Sequence, residues 1–302
     1  MPIHLYIGML AFMPGAATVV RPSDDELDLF GLTHTGRVRA ENQDHFLVST
    51  VHPQVVIHGT SLPEPDKLPL RGTRFATVLI LADGVGGAAA GRDAARLATE
   101  AVTRYVSSTM RSYHAAGSAT EAELLSSLKE TALEAHHTVR AEAANHPGLK
   151  GMATTLTVCV VVYPWAYVVQ VGDSRCYFYG AGKLTLLTRD QTIAQSLVDQ
   201  GLMPAERLTA SPFRHVLSSA IGSDEALPVV TPFDISERGA LILMCSDGLT
   251  KHVSDAEIEA HIRTMQSSEQ VAHDLLELAL DRGGSDNITI IAARAPLKKK
   301  PA

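Results

Sequence analysis

The sequence predicts an α+β fold in which largely antiparallel sheets are covered by helices. Short runs of β-branched and apolar residues follow one another directly along the chain, without a regular alternation of strand and helix. Two pairs of longer amphipathic segments accompany these runs, and each pair presents one apolar face. Sheets that carry helices on their outer sides satisfy both observations.

Seven of the apolar runs are predicted to be strands. Several of them are separated by only a few residues, which favours antiparallel pairing through hairpins. The sequence Tyr163-Pro164-Trp165 predicts one such turn. The predicted strands cover residues 27–32, 77–81, 155–163, 167–171, 176–179, 240–245 and 288–292.

Four amphipathic segments are predicted to be long helices, and a shorter helix is expected over 193–201. Between residues 90 and 106, and again between 125 and 139, apolar side chains recur at helical spacing. The last three long helices each begin with the spacing of a capping box, in which a hydroxyl side chain and an acidic or amide side chain three residues later bond to each other's backbone. The pairs are Thr120 with Glu123, Ser254 with Glu257, and Ser267 with Gln270.

These elements predict a single domain over 27–295, because no repeat and no break in composition divides the range. Within it, residues 51–74 are rich in Pro and Gly and are predicted to form a loop or an elaborated hairpin. Residues 188–225 form a polar segment without a core of its own. A variable extension is expected over 1–26 and a short basic tail over 296–302.

Composition and charge argue against nucleic acid as a partner. The formal net charge is -7 and the pI is about 6.0, and the one basic run lies at the extreme C-terminus, so no basic surface is expected to attract a phosphate backbone. The three cysteines, Cys159, Cys176 and Cys245, lie in apolar runs without close spacing. Neither disulfides nor a zinc site is expected, which favours a reducing, cytoplasmic setting.

No membrane segment is predicted. The first twenty residues are apolar, but no Lys or Arg precedes them and Pro14 interrupts them, so a secretory signal is not expected. No other stretch reaches the roughly 18 to 20 apolar residues that a membrane span requires. The chain is therefore expected to be soluble.

Four aspartates stand where apolar strands end or begin. Each signal alone is typical of an ordinary turn, but together they indicate one site, because an ionised Asp beside a buried strand needs a compensating cation. The four sequences are Asp83-Gly84-Val85-Gly86-Gly87, Gly172-Asp173-Ser174-Arg175, Ser246-Asp247-Gly248 and Ser285-Asp286-Asn287. An Arg39 and Asp44 pair precedes them.

The ordered set closely resembles the PPM family of metal-dependent protein phosphatases, also called protein phosphatase type 2C, in its compact bacterial form. The resemblance covers residues 29–293 and includes Arg39-Ala40-Glu41-Asn42-Gln43-Asp44 and Gly151-Met152-Ala153-Thr154-Thr155-Leu156. Residues 188–225 are similar to the family's flap, which lies beside the catalytic cleft. The resemblance implies a four-layer α/β/β/α sandwich and hydrolysis of phosphoserine and phosphothreonine by a water that two Mn²⁺ or Mg²⁺ ions activate.

The resemblance also implies roles for single residues. Asp83 would bridge the two metal ions and the Gly84 carbonyl would bind one of them. Asp247 and Asp286 would bind the other ion.

Three further residues complete this implied site. Asp44 would hold waters that are bound to the metal ions, Asp173 would help to bind a third and weaker ion, and Arg39 would bind the phosphate. A planar guanidinium suits this last role, because it can hold two phosphate oxygens at once.

Two positions depart from the family pattern. Gln43 stands where Glu is common, which removes a negative charge close to the metal-bound waters and is expected to weaken metal affinity. Val85 stands where many eukaryotic members have a general-acid His. The proton donor for the leaving group therefore stays unassigned.

Two other functions remain open at this point. One is a non-catalytic regulatory module with a degenerate phosphatase fold. Against it stands the expectation that only metal ions compensate the mutual repulsion of the four aspartates, so that a degenerate copy would lose at least one of them. The other is a two-metal phosphodiesterase or nuclease, which the acidic charge and the lack of His at the motifs disfavour. For the phosphatase, the expected partners are phosphorylated proteins and an opposing serine/threonine kinase, and the chain is expected to be a monomer.

Overall fold

A computed structural model describes residues 20–86, 88–116 and 120–296. Most of the predicted extension over 1–26 lies outside the described residues, as does the predicted basic tail after residue 296. The rest of the chain folds into two central sheets with helices on their outer sides, so the predicted α+β class is confirmed.

Two five-stranded antiparallel sheets form the centre of the fold. In spatial order, the first contains β1 (Asp28–His34), β12 (Ile288–Arg294), β11 (Leu241–Cys245), β8 (Arg175–Gly180) and β9 (Lys183–Leu186). The second contains β10 (Val229–Asp234), β7 (Trp165–Val171), β6 (Leu156–Val162), β3 (Ala76–Ala82) and β2 (His45–Val51). A short ladder joins β4 (Gly84–Val85) to β5 (Ala153–Thr154).

The α-helices are α1 (Ala88–Ala116), α2 (Glu121–Asn145), α3 (Ile193–Asp199), α4 (Asp247–Thr250), α5 (Asp255–Thr264) and α6 (Ser268–Asp281). Single 3₁₀ turns lie at Asp24–Glu26, Pro65–Lys67, Pro147–Leu149 and Ala205–Arg207. Helices α1 and α2 cover the second sheet, and α5 and α6 cover the first. The predicted helix pairs are therefore both present.

The predicted caps form the starts of three helices. The Thr120 side chain accepts a hydrogen bond from the Glu123 backbone N–H, and the Glu123 carboxylate accepts one from the Thr120 backbone N–H at 2.7 Å. Ser254 and Glu257 make the same reciprocal pair before α5. Before α6, Ser267 accepts a hydrogen bond from the Gln270 N–H at 3.0 Å. These bonds satisfy backbone groups that a helix start leaves unpaired.

Alternation along the central strands explains the four layers. In β3, Val78 and Ile80 pack against helices α1 and α2, while Leu79 and Leu81 face the other sheet. Successive side chains of a strand point to opposite faces, so a strand that is apolar at every position has both faces covered. The layer between the sheets includes Cys159 and contains apolar side chains from both of them.

Connections in the second sheet agree with the predicted hairpins. Strands β2 and β3 pair from Val51 with Ala76 onward, so residues 52–75 form the elaborated hairpin between them. Strands β6 and β7 pair up to Val162 with Trp165, which confirms the turn at Tyr163-Pro164. Three strands of the two large sheets, β2, β9 and β10, were not among the predicted ones, and neither were the two-residue strands β4 and β5.

None of the helices in the part of the chain that the structure describes combines the length and apolar character needed to cross a membrane.

Candidate functional site

One cavity of about 760 Å³ collects nearly all the predicted site residues. Six of them line it: Arg39, Asp83, Gly84, Asp173, Asp247 and Asp286. We call it the acidic cavity. Asp83, Asp173 and Asp247 follow β3, β7 and β11, and Asp286 precedes β12, so strands of both sheets bring their ends together here. The seventh residue, Asp44, is buried.

Two threonines fix the backbone at Asp83. The Asp83 N–H donates to Thr155 Oγ1 at 3.0 Å, and the Asp83 carbonyl accepts from the Thr155 N–H at 2.8 Å and from Thr154 Oγ1 at 2.9 Å. Both threonines are fully buried at the start of the β6 hairpin. Their role is to hold the Asp83 turn against the neighbouring strand.

Gly84 has no room for a side chain. A Cβ at this position would lie 2.4 Å from the Gly91 carbonyl oxygen in the first turns of α1 and 2.8 Å from the Gln43 carbonyl oxygen. Such distances are far below van der Waals contact, so only glycine allows the three segments to approach. The Asp-Gly sequence therefore serves this close approach.

Asp44 is buried with one oxygen unpaired. Its Oδ2 accepts a hydrogen bond from Thr289 Oγ1 at 2.6 Å, while its Oδ1 is buried and has no hydrogen-bond partner among the described residues. Burial raises the pKa of Asp44 to about 6, although hydrogen bonds from Thr289 and Ser246 oppose the rise. A buried oxygen in this state requires a proton, a water or a cation.

The ionised forms of Asp83 and Asp173 are also electrostatically unfavourable. Burial, together with the charges of Asp44, Asp247 and other carboxylates, raises the pKa of Asp83 well above its usual range. Burial and the charges of Asp247 and Asp190 raise the pKa of Asp173 to about 8. Oxygen donors that repel one another in a buried place are the ligand set that a hard divalent cation prefers, so these residues fit such an ion.

Asp247 and Asp286 differ from these three, because the chain supplies their cations. The ammonium of Lys251 lies 2.6 Å from Asp247 Oδ2 and 2.6 Å from Asp286 Oδ2. Arg39 reaches Asp286 as well, with Nε 2.7 Å from Oδ1 and Nη2 2.9 Å from Oδ2.

These contacts shift the pKa values of the charged groups. Burial alone would raise the pKa of Asp286, but hydrogen bonds from Arg39 and Lys251 lower it below its usual value. Burial would lower the pKa of Lys251, but the charge of Asp247 and hydrogen bonds from the ammonium to both carboxylates raise it. Asp286 and Lys251 are therefore both charged near neutral pH.

The expectation that only metal ions compensate the aspartates is therefore wrong for Asp247 and Asp286. In keeping with this, no three His, Cys, Asp or Glu side chains within the described ranges converge as a preformed metal site. Sequence reasoning missed Lys251. The available signal was its spacing of four residues from Asp247, which places both side chains on one face of a helical turn.

Residues 215–220 and 223–225 of the flap, the name we keep for residues 188–225, also line the acidic cavity. Single β-bridges from Thr192 to Leu217 and from Thr154 to Ile221 hold this segment in place. His215 is a second residue that the sequence did not single out, and its Nδ1 lies 3.9 Å from Asp247 Oδ2. Burial and the charge of Lys251 lower the pKa of His215.

A comparison with family models identifies the family of this chain. Residues 58–280 match the model described as protein phosphatase 2C. The chain belongs to the protein phosphatase 2C family. The match spans the Asp83, Asp173 and Asp247 motifs as well as the flap, so the resemblance predicted from the ordered motifs is confirmed.

Relatives with assigned names extend the match. The chain is 35% identical over 218 residues to the serine/threonine protein phosphatase PstP of Mycobacterium tuberculosis. The aligned residues are 72% of this chain and 40% of PstP. This chain thus spans less than half the length of that relative. It is 29% identical over 271 residues to the serine/threonine phosphatase stp of Listeria innocua, covering 89% of this chain and 96% of that protein.

The fold also matches a solved protein phosphatase 2C structure. The crystal structure of the PstP catalytic domain in complex with two manganese ions superposes with a TM-score of 0.67 at 30% identity, over 90% of this chain and 99% of that one. The paired antiparallel sheets and outer helices are therefore those of this family.

Proposed function

We propose that this chain is a metal-dependent protein serine/threonine phosphatase, with its catalytic domain over residues 27–295. The observation that carries the proposal is the acidic cavity itself. Asp83 and Asp173 line the cavity and Asp44 is buried close to Asp83, and none of the three forms an ion pair with a Lys or Arg among the described residues. Arg39 stands at the cavity with its side chain 57% exposed. A site that lacks positive charge and carries an accessible guanidinium suits a divalent cation and a phosphate dianion together.

Divalent cations bound here would supply an activated water and neutralise the charge that develops on the phosphate. Asp83, the Gly84 carbonyl, Asp247 and Asp286 are the donors that we assign to two such ions, Mn²⁺ or Mg²⁺. For the PstP relative, two bound manganese ions support this assignment. The carboxylate of Asp173, for which burial and the charges of Asp247 and Asp190 outweigh the charge of Lys251, is our candidate for a third, weaker site.

The chain's own residues then orient the substrate and the water. Arg39 binds Asp286 with two nitrogens in the manner of a fork, and the same fork can bind two oxygens of a phosphate. Thr289 holds Asp44 through Oδ2, and the unpaired Oδ1 is the atom that we assign to accept a hydrogen bond from a water. Val85 cannot donate a proton to the leaving group, since its side chain is aliphatic.

The substrates that we infer are phosphoserine and phosphothreonine in proteins. We place the chain in the cytoplasm as a monomer, and we expect a serine/threonine kinase to oppose it there. The names of the two relatives, both serine/threonine phosphatases, support the substrate class. Cys159, Cys176 and Cys245 are buried free thiols, which suits a reducing compartment.

A non-catalytic regulatory module is the second candidate, and the position of Lys251 is what favours it. An ammonium between Asp247 and Asp286 already neutralises two of the carboxylates. The fold could in principle keep these aspartates without binding a metal there. Turnover decides between the two functions.

The test is hydrolysis of a phosphothreonine peptide and of p-nitrophenyl phosphate, each with Mn²⁺, Mg²⁺ or EDTA. We expect turnover only with a divalent metal, and a loss of about a hundredfold or more in Asp247→Asn. Asp66→Asn, at an exposed position in the 52–75 hairpin, is the matched control and should retain activity.

Two results would redirect the proposal. Well-folded wild type that turns over neither substrate under any metal would favour the regulatory module. Faster hydrolysis of bis(p-nitrophenyl) phosphate than of the monoester would favour a phosphodiesterase.

A further inference from the structure

The acidic cavity contains two kinds of carboxylate, and Lys251 separates them. Asp83 at the cavity and the buried Asp44 close to it form no ion pair with a Lys or Arg in the described part of the chain, whereas Asp247 and Asp286 share the Lys251 ammonium at 2.6 Å each. The cavity is thus neutralised on one side and not on the other. This asymmetry is a property of the chain's own residues.

The contact is built into the local structure. Asp247 begins α4 and Lys251 is the C-cap residue that follows it, with the Lys251 backbone N–H donating to the Asp247 carbonyl at 2.9 Å. One helical turn therefore sets the ammonium beside the carboxylate. Gly248 packs this turn against the chain at Asn287, since a Cβ there would lie 1.9 Å from the Asn287 carbonyl oxygen. Asp286 is consequently held within reach of the same lysine.

A metal ion that takes both carboxylates must displace this ammonium. The Lys251 side chain is 20% exposed and lines the cavity, so its flexible stem has open space to move into. Displacement gives up two charge-assisted hydrogen bonds and leaves a positive charge close to the incoming ion. Both effects weaken binding of the ion at Asp247 and Asp286, and the other ion does not compete with the ammonium for these two carboxylates.

We propose that Lys251 is a tethered competitor of the metal ion at Asp247 and Asp286, so that the two ions of the proposed phosphatase bind with unequal affinity. The proposal rests on the proposed function, because it concerns the second of the two metal positions assigned there. Lys251 acts on the metal through Asp247 and Asp286 and is a positioning residue. In the metal-free protein it replaces the missing cation and stabilises the fold.

Calorimetric titration with Mn²⁺ alone, without substrate, tests the proposal. Wild type is expected to bind in two phases, the second at least about tenfold weaker than the first. In Lys251→Met, the second phase should tighten by about tenfold or more, while Lys251→Arg, which keeps the charge, should stay close to wild type. Lys129→Met, at an exposed position of α2, is the control for loss of one positive charge and should not differ from wild type.

Thermal unfolding gives a second readout that does not depend on activity. Metal-free Lys251→Met should melt below wild type, because two carboxylates lose their counter-ion, and Mn²⁺ should raise its Tm by more than it raises that of wild type. Even if the variant does not fold without metal, the two phases in wild type still test the proposal.

The outcomes separate this proposal from the proposed function. Equal affinities for two ions in wild type, or the same second-phase affinity in Lys251→Met, would overturn the role of Lys251 and leave the phosphatase intact. Absence of Mn²⁺ binding to every protein would overturn both.

Discussion

At the scale of single residues, the site is defined by which carboxylates the chain neutralises and which it does not. Arg39 and Lys251 pair with Asp286, and Lys251 also pairs with Asp247. Asp173 is 6% exposed, and burial and the charges of Asp247 and Asp190 disfavour its ionised form more than Lys251 favours it. Folding therefore has to keep a carboxylate in a place where its charge is unfavourable.

The pH dependence of metal-free stability follows from Asp173. Its pKa is raised from an ordinary 3.8 to about 8, so its stabilising contribution is complete below about pH 4 and is lost as the pH rises through 8. In EDTA, the Tm of wild type should fall between about pH 5 and pH 8. Asp173→Asn removes the charge, and its Tm at about pH 8 should exceed that of wild type, on the order of 5 °C.

Differential scanning calorimetry at several pH values measures this effect. Asp224→Asn, which removes an exposed carboxylate at the same cavity, is the matched control and should follow the wild-type curve. If Tm depended on pH in the same way in wild type and Asp173→Asn, the buried charge of Asp173 would not destabilise the fold.

The sequence predicted the aspartates but not their partners. Each Asp borders an apolar strand, and a strand pattern can be recognised locally, so Asp83 and Asp247 were accessible from the sequence alone. The environment of Lys251 depends on Asp286, which lies 35 residues further along the chain. Only the packing of α4 against that loop brings them together, and no local pattern contains this information.

At the scale of elements, the strands of the two large sheets that sequence reasoning missed all lie at sheet edges. β9 ends the first sheet, while β2 and β10 end the second. Edge strands are partly exposed and do not form the continuous apolar runs of central strands, and β2 is half-buried at every position. β10 contains Pro232, which has no backbone N–H to donate. An edge strand tolerates proline because one of its sides has no neighbouring strand to receive that hydrogen bond.

The contact between α4 and the loop before β12 makes a prediction at this scale. A Cβ at Gly248 would lie 1.9 Å from the Asn287 carbonyl oxygen and 2.9 Å from its carbonyl carbon. Backbone atoms cannot yield as a side chain can, so Gly248→Ala must push α4 away from the loop. We expect the free energy of unfolding to fall by about 3 kcal/mol and metal-dependent turnover to fall with it.

Urea denaturation measures the change in stability. Gly59→Ala is the matched control, because a Cβ there meets nothing within 4 Å, and it should stay within about 0.5 kcal/mol of wild type. If Gly248→Ala were as stable as Gly59→Ala, the close approach of α4 to Asn287 would not be required.

At the scale of the whole molecule, two sheets pack face to face and their strand ends form one acidic cavity, with the flap as part of its wall. The sequence predicted the class of the fold because strand and helix periods can be read locally. The order of the strands in each sheet depends on long-range pairing, such as that of β1 with β12, and was not predicted. The four-layer arrangement was predicted only through the family resemblance. The single domain over 27–295 stays a prediction.

Steady-state hydrolysis of a phosphothreonine peptide by wild type and Asp83→Asn, each with Mn²⁺ and with EDTA, tests the central claim most directly. Asp83→Asn removes one of several mutually repelling charges, so metal-free Asp83→Asn should melt no lower than wild type. We predict that wild type requires Mn²⁺ and that the folded variant loses about a hundredfold or more in kcat/KM. Equal turnover by the variant, or undiminished wild-type turnover in EDTA, would contradict the account.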